Sequence, residues 1–263
     1  MEGLPADAVD VETRAIELVR GQTKQLIQEY RARFGVVVST DQARELFPDY
    51  SASLETRLRY SAAIQRSAGC LADMVFSEIV QEESGGNALF TAGGTGAGKT
   101  SAILQNTETG QALAGARVIY DSNFNSFKSA LAKVELALRA ECSVSVIFVY
   151  RNPIEAYLEG VLPRALEQGR TVSIEGHLRM HQDSRSTFLK VQRRLQGNER
   201  VGFIVLANTG HESEAFKTDI DYLRGIKYDD DDAVCAVIRK GLDDAYGEGE
   251  IPQSLYEISR GGL

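Results

Sequence analysis

The residues best suited to chemistry form one glycine-rich segment, GGTGAGKT, at positions 93–100. Its spacing satisfies G-x-x-x-x-G-K-[ST], a pattern whose glycines let successive backbone N–H groups converge on a phosphate chain. Lys99 would bring a positive charge to the β- and γ-phosphates, and the Thr100 hydroxyl would ligate Mg²⁺. The segment therefore predicts binding of a nucleoside triphosphate. The predicted nucleotide contacts here are Gly93, Gly94, Thr95, Gly96, Ala97, Gly98, Lys99, Thr100 and Ser101.

Other segments narrow the reaction that such a loop could serve. The NKxD sequence with which GTPases read guanine is absent, and no predicted strand ends in the adjacent acids of a Walker B motif. A small-molecule kinase needs an acidic base near a strand end and arginines that neutralise the transferring phosphoryl group. Those residue types are available, so a kinase is the favoured interpretation. A regulated ATPase or nucleotide-dependent binding module, which needs only the loop, is the alternative.

Two aspartates follow predicted strands. Asp41 comes shortly after the β-branched run at 36–38, and Asp121 comes directly after RVIY at 117–120. Ligands of open parallel sheets lie at the carboxyl ends of the strands, where these carboxylates would be found. An aspartate in such a place is also a common helix N-cap. Each acid is therefore either a site carboxylate or a helix cap.

Three arginines follow the fourth predicted strand in a short helical stretch, which is the usual position of a lid over the phosphates. They are Arg151, Arg164 and Arg170. A solvated helix face would explain any one of them. Three beside a phosphate loop instead favour a role on the transferring phosphoryl group.

The elements that must position these residues alternate along the chain. Short β-branched runs at 36–38, 88–92, 116–120, 144–150 and 201–207 are separated by stretches of helical periodicity. This alternation predicts an α/β fold, with a mainly parallel five-strand sheet flanked by helices. We expect a helical N-terminal extension over 1–35, a P-loop kinase-like domain over 36–225, and an acidic, partly helical tail over 226–263.

Composition limits the class of protein further. The 263 residues carry a net charge of −8, which argues against general binding of nucleic acid or an anionic membrane surface. The three cysteines lack CxxC spacing, which is typical of free thiols in a reducing compartment. No apolar run is long enough to span a bilayer, and the N-terminus lacks a signal pattern. We therefore expect a cytoplasmic protein.

Four segments resemble a known family. They are DQARELFPDY (41–50), YDSN (120–123), GRTVSIEGH (169–177) and VLANTG (205–210). Together with the phosphate loop, they are similar to motifs of the zeta-toxin kinases of bacterial toxin–antitoxin systems. In that family the phosphate loop precedes the aspartate segment, whereas here it follows. A parallel sheet can host either order if the strand pairs in its usual place and only the connections are rerouted.

The resemblance implies roles for particular residues. Asp41 corresponds to the catalytic base, and Asp121 stands where the family has a glutamate that helps to hold the substrate. Arg170 corresponds to an arginine that contacts phosphate, with Arg164 as the second lid arginine and Lys99 as the phosphate-loop lysine. The other substrate and nucleotide contacts implied in this way are Arg44, His177 and Asn208.

The resemblance also implies an activity. Zeta toxins use ATP and Mg²⁺ to phosphorylate a hydroxyl of a UDP-N-acetyl amino sugar such as UDP-N-acetylglucosamine, so a nucleotide sugar is the expected substrate and an antitoxin protein a possible partner. Another hydroxylated small molecule is an open alternative. His177 and His181 are spaced like zinc ligands but lack a third ligand, so we do not expect them to bind a metal. The N-terminal helices would cover the sheet or dock a partner.

Overall fold

A computed structural model describes residues 5–209, 215–227 and 231–261. Gly210 of the VLANTG segment lies outside these ranges. The strands are β1 Val37–Ser39, β2 Asn87–Ala92, β3 Val118–Asp121, β4 Ser143–Tyr150, β5 Val201–Ala207 and β6 Phe216–Thr218. The helices are α1 Ala6–Phe34, α2 Thr40–Arg44, α3 Pro48–Ser51, α4 Leu54–Glu82, α5 Lys99–Gln105, α6 Thr107–Ala114, α7 Phe127–Arg139, α8 Pro153–Glu155, α9 Leu162–Gln168, α10 Ile174–Leu195, α11 Ile220–Gly225, α12 Asp231–Gly247 and α13 Gln253–Ser259, with a π-helical segment Ala156–Val161 between α8 and α9.

The strands form one sheet in the order β1-β3-β2-β4-β5-β6. The first five are parallel, and β6 pairs antiparallel with β5. The prediction of an α/β fold with a mainly parallel sheet flanked by helices is confirmed, as are all five predicted strands. The sixth strand was missed because its three residues, FKT, are too short to show an alternating pattern.

The register of the sheet brings the predicted acids to the same edge as the phosphate loop. Asp121, the last residue of β3, is aligned with Ser39 of β1 on one side and with Thr91 of β2 on the other. Although β1 precedes β2 in the chain, it pairs with β3. Asp41 and Asp121 therefore lie at the carboxyl ends of neighbouring strands, and the rerouted connection described above does not change this edge of the sheet.

The long N-terminal helix α1 packs along α4 and belongs to the main hydrophobic core. Its buried Tyr30 reaches the turn between β1 and α2. The Tyr30 hydroxyl accepts the backbone N–H of Ser39 at 2.8 Å and donates to Gln42 Oε1 at 2.8 Å. Helix α1 thus helps to fix the turn that presents Asp41.

A second hydrophobic cluster joins the segment between β4 and α10, residues 151–173, which we call the lid, to the C-terminal helices. Tyr157 of the π-helical segment and Ile174 of α10 pack with Ile238 of α12 and Leu255 of α13. Lid and C-terminal helices therefore share a core that is separate from the main one. Among the helices described, none is both long and apolar enough to cross a membrane.

Replacing Tyr30 tests the support that α1 gives to the β1–α2 turn. In Tyr30→Phe the buried N–H of Ser39 loses its acceptor, so the free energy of unfolding should fall by about 1–3 kcal/mol. Urea unfolding monitored by circular dichroism would measure it. A loss below ~0.5 kcal/mol would show that this hydroxyl is not an anchor of the turn.

Candidate functional site

A cleft of about 1030 Å³ opens at the carboxyl edge of the sheet, between α4, α7 and the lid elements. Most of the predicted site residues line it together. Those that do are Asp41, Arg44, Thr95, Gly96, Ala97, Gly98, Lys99, Thr100, Ser101, Asp121, Arg164, Arg170 and Asn208. Gly93, Gly94 and His177 do not line the cleft. Residues far apart in the chain therefore converge on one cavity.

The phosphate loop has the conformation that its glycines predict. Gly96 and Gly98 have positive φ angles of 75° and 72°, and Gly98 caps the N-terminus of α5. The Asn208 side chain donates from Nδ2 to the carbonyl of Ala97 at 2.9 Å. A Cβ added to Gly98 would lie 2.6 Å from Asn208 Nδ2, so a larger residue does not fit there. Asn208 thus holds the loop beside the nucleotide position.

Helix α10 forms hydrogen bonds with the backbone of the same loop. His181 donates from Nε2 to the carbonyl of Thr95 at 3.0 Å, and the Gly93 N–H donates to Ser184 Oγ at 2.9 Å. A Cβ on Gly94 would lie 2.1 Å from His181 Nε2. Gly94 therefore allows close packing on α10. Neither Gly93 nor Gly94 lines the cleft, and the nucleotide contact expected of them stays a prediction.

His177 lies one helical turn before His181, in the protein interior. It is fully buried and bonds from Nε2 to the carbonyl of Pro153 at 2.8 Å, which ties α10 to the start of the lid. Burial lowers its pKa to about 4, so the ring is neutral at pH 7. Because the imidazole is enclosed away from the cleft, its placement does not support the substrate contact expected of His177.

Lys99 is held by a residue to which the sequence analysis gave no role. Its Nζ donates to Asn123 Oδ1 at 2.9 Å, while Asn123 Nδ2 donates to Thr95 Oγ1 at 3.2 Å. Burial lowers the pKa of Lys99, and the charges of Asp121 and Asp41 oppose that effect. Asn123 could have been identified from its position two residues after Asp121, which ends β3. This arrangement keeps the ammonium group at the loop without a carboxylate in direct contact among the described residues.

Asp41 is not the helix cap that its sequence allowed. The cap of α2 is Ser39, whose Oγ accepts the N–H of Gln42 at 3.1 Å. The Asp41 side chain is 42% exposed and pairs with Arg44 Nη1 at 3.0 Å. Burial raises its pKa, but the positive charges led by Arg44 and Arg170 outweigh burial and lower it. Asp41 is thus an ionised carboxylate in the cleft.

The second acid faces the phosphate loop. Asp121 accepts a hydrogen bond from Thr91 Oγ1 at 2.5 Å, and Thr91 is two residues before Gly93. The same hydroxyl accepts the N–H of Ser122 at 3.2 Å. These bonds fix the end of β3 against the end of β2. Asp121 is consequently placed to act near the phosphates or on a bound Mg²⁺ through water.

Four arginines surround the acids in the cleft: Arg44, Arg151, Arg164 and Arg170. Each has a buried Nε atom without a hydrogen-bond partner in the described part of the chain. All four residues line a cavity large enough for an anionic ligand. Such a set is suited to oxygen-rich phosphoryl groups, which accept several N–H bonds at once.

Glu45 is a further residue that sequence reasoning missed. It accepts from Arg170 Nη2 at 2.6 Å through one oxygen and from Arg57 Nη2 at 2.7 Å through the other. Its side chain is 13% exposed. Arg170 is 125 residues from Glu45 in sequence, so only the folded chain shows this contact. Glu45 holds Arg170 within 3.7 Å of Asp41.

The lid packs directly on the phosphate loop. A Cβ on Gly160 would lie 2.6 Å from the Gly96 carbonyl, and one on Gly96 would lie 2.0 Å from the Ala156 carbonyl. Two glycines therefore let the π-helical segment approach the loop backbone to backbone. Arg164, which follows in α9, is brought to the cleft wall by this contact.

Comparison with solved structures finds matches to this chain, whereas two other comparisons find none. No protein-family model matches the chain, and no curated protein sequence shows significant similarity to it. A solved structure from a study of the PezAT chromosomal toxin-antitoxin system of the human pathogen Streptococcus pneumoniae aligns with 93% of this chain and 84% of its own. The identity is 11% and the TM-score 0.42. At that identity the alignment does not show which residues of the two chains correspond in function.

The buried histidines predict a pH dependence of stability. The pKa values of His177 and His181 in the folded chain are about 4 and about 3, below the ordinary value of 6.5, so the unfolded chain binds more protons between these limits. Stability should be fully present above pH 6.5 and decline as the pH falls towards 4, by up to ~1.4 kcal/mol per pH unit for each histidine.

The variant His177→Phe should remove one histidine's share of that decline. Urea unfolding between pH 5 and 7 would measure the slope for both proteins. An identical slope in wild type and variant would contradict the assignment of His177 as a buried neutral ring.

Proposed function

We propose that this protein is an ATP- and Mg²⁺-dependent kinase that transfers a phosphoryl group to a hydroxyl of a small molecule. One observation carries the proposal: a single cleft contains the phosphate loop with Lys99, the ionised carboxylate Asp41 and four arginines. An ATPase or a nucleotide-dependent binding module would need the loop alone. The acid and the arginines are the additional groups that transfer to a second substrate requires.

The loop and its lysine would bind the triphosphate. Backbone N–H groups around Gly96 and Gly98 converge on the phosphate position, and Lys99 would exchange its bond with Asn123 for phosphate oxygens. Thr100 lies in the first turn of α5 with its side chain open to the cleft, so its hydroxyl fits Mg²⁺. Bound Mg²⁺ would supply charge neutralisation at the phosphate oxygens.

Asp41 would act as the general base. It accepts the proton of the acceptor hydroxyl as the acceptor oxygen bonds to the γ-phosphorus and the bond between that phosphorus and the bridging oxygen breaks, releasing ADP. The lowered pKa of Asp41 keeps the carboxylate ionised at neutral pH. A weak base suffices because the transition state is loose and the hydroxyl proton is lost late.

The arginines would stabilise the charge that develops during transfer. Glu45 fixes Arg170 beside Asp41, so its guanidinium can bridge the base and the transferring group. Arg164 lines the cleft and makes no ion pair within the described residues, so its guanidinium would be available to a phosphate. Arg44 pairs with Asp41 and would orient it towards the acceptor.

The sequence resemblance to zeta toxins makes a nucleotide sugar of the UDP-N-acetylglucosamine type the first acceptor to test and an antitoxin protein a partner to seek. Another hydroxylated small molecule is the alternative. The fold and the cleft are compatible with either acceptor. The volume of about 1030 Å³ leaves room for an acceptor beside the nucleotide.

Two matched substitutions test the proposed roles of the acids. Asp41→Asn should reduce transfer at least a hundredfold, because the amide cannot accept the proton, while Mg·ATP binding stays within about twofold. Asp121→Asn should instead raise the acceptor KM or the Mg²⁺ requirement, with a smaller loss of kcat.

Coupled-enzyme turnover with UDP-N-acetylglucosamine and other sugar acceptors, together with calorimetric titration of ATP, would separate these effects. An active Asp41→Asn beside an inactive Asp121→Asn would reassign the base to Asp121. Full activity in both variants would remove the kinase proposal.

A further inference from the structure

The cleft continues beyond the phosphate loop into a region bounded by α4 and α7. Its walls there are Gly69 and Asp73 of α4, Tyr120 of β3, and Ser129 and Lys133 of α7. We call this region the α4–α7 alcove. At about 1030 Å³ the whole cleft is at the upper end of the ~300–1000 Å³ common for ligand pockets, so the alcove is space that a nucleotide alone does not fill.

Gly69 lies in the interior of α4, where glycine weakens a helix relative to alanine. No heavy atom lies within 4 Å of a Cβ built at this position. Packing within the described chain therefore gives no reason for a glycine. The glycine leaves the backbone of α4 open to the cleft. A ligand that packs closely against the helix would require such an opening.

The charged groups of the alcove balance one another. Lys133 Nζ lies 2.9 Å from Asp73 Oδ1, and the Tyr120 hydroxyl donates to the same oxygen at 2.6 Å. Lys133 also donates to Ser129 Oγ at 2.7 Å. The Asp73 side chain is 51% exposed, against 12% for Lys133. The alcove thus presents a carboxylate that accepts hydrogen bonds. The charges of Asp73 and Lys133 cancel, so the net charge of the alcove is close to zero.

The alcove is connected to the proposed base along α4. Gln65, one turn before Gly69, accepts a hydrogen bond from Arg44, and Arg44 pairs with Asp41. Gln65 and Asp73 are two turns apart on the same face of the helix, or ~12 Å at 1.5 Å per residue. A molecule whose reacting hydroxyl lies at Asp41 can therefore extend along this face into the alcove.

We propose that the α4–α7 alcove is an acceptor subsite for an uncharged, hydroxylated ring, such as a sugar or cyclitol, whose hydroxyl groups donate to Asp73. This proposal rests on the proposed kinase function, which places the reacting hydroxyl of the acceptor at Asp41. A neutral ring fits because a cationic group would meet Lys133 and an anionic group would meet Asp73. Gly69 provides the room for the ring against α4.

Binding rather than turnover tests this subsite, so its failure is distinct from failure of the kinase proposal. The probes are glucose, N-acetylglucosamine and myo-inositol, with glucose 6-phosphate as the anionic comparison. Ligand-observed NMR would measure their binding to the full chain loaded with Mg²⁺ and a non-hydrolysable ATP analogue. At least one neutral probe should bind, and glucose 6-phosphate should bind more weakly than glucose.

Gly69→Leu should weaken the bound neutral probe at least tenfold by filling the alcove, while affinity for the ATP analogue changes less than twofold. Gly69→Ala should raise the melting temperature by about 2–4 °C, because alanine suits the helix interior better and no protein atom obstructs it. Gly21→Leu is the matched control, since Gly21 lies in α1 with open space around it and outside the cleft. It should leave probe binding unchanged.

Asp73→Asn should also weaken the neutral probe and, by leaving Lys133 without its carboxylate, strengthen binding of glucose 6-phosphate. The proposal is overturned if none of the neutral probes binds, if glucose 6-phosphate is the preferred ligand of the wild type, or if Gly69→Leu binds the probes as the wild type does.

Discussion

The shared carboxyl edge of the parallel strands is the constraint on which the rest of the site depends. Because β1, β3 and β2 are in register at Ser39, Asp121 and Thr91, near their carboxyl ends, two aspartates and the phosphate loop lie side by side. The chain order of the strands does not matter to this outcome, since hydrogen bonding between β1 and β3 sets the position of Asp41. A different order of connections between the strands therefore leaves the same side chains at the carboxyl edge of the sheet.

A second level of organisation holds the phosphate loop in shape. Three elements press on its backbone: α10 through His181, the end of β5 through Asn208, and the lid through the carbonyl of Ala156. The contacting atoms lie where a Cβ would be if Gly94, Gly98 and Gly96, respectively, were larger residues. The lid in turn shares a hydrophobic core with the C-terminal helices, so residues after 231 contribute to the position of the arginines.

Features with a local signature could be predicted from the sequence. The phosphate loop, the five parallel strands and the acid after β1 each follow from a short run of residues, and the structure places them as the pattern requires. Contacts between distant segments could not be predicted in this way. Glu45 with Arg170, Asn123 with Lys99 and Asp73 with Lys133 exist only once helices and strands pack.

His177 shows why a motif position alone does not give a role. The resemblance to zeta toxins implied a substrate contact for His177, whereas helix α10 turns the imidazole inward to the carbonyl of Pro153. The direction of a helical side chain depends on which face the core takes, and the apolar residues around 174–191 set that face. Arg170 consequently lines the cleft, whereas His177 does not.

The most direct test of phosphoryl transfer is mass spectrometry of metabolites from cells that express the wild-type chain beside Lys99→Ala. The account predicts that the wild type accumulates a hydroxylated metabolite heavier by one phosphoryl group, and that Lys99→Ala does not, because the β- and γ-phosphates lose their charge-assisted contact. The same metabolite pattern in both cultures, with both proteins folded and equally abundant, would contradict a kinase acting through this phosphate loop.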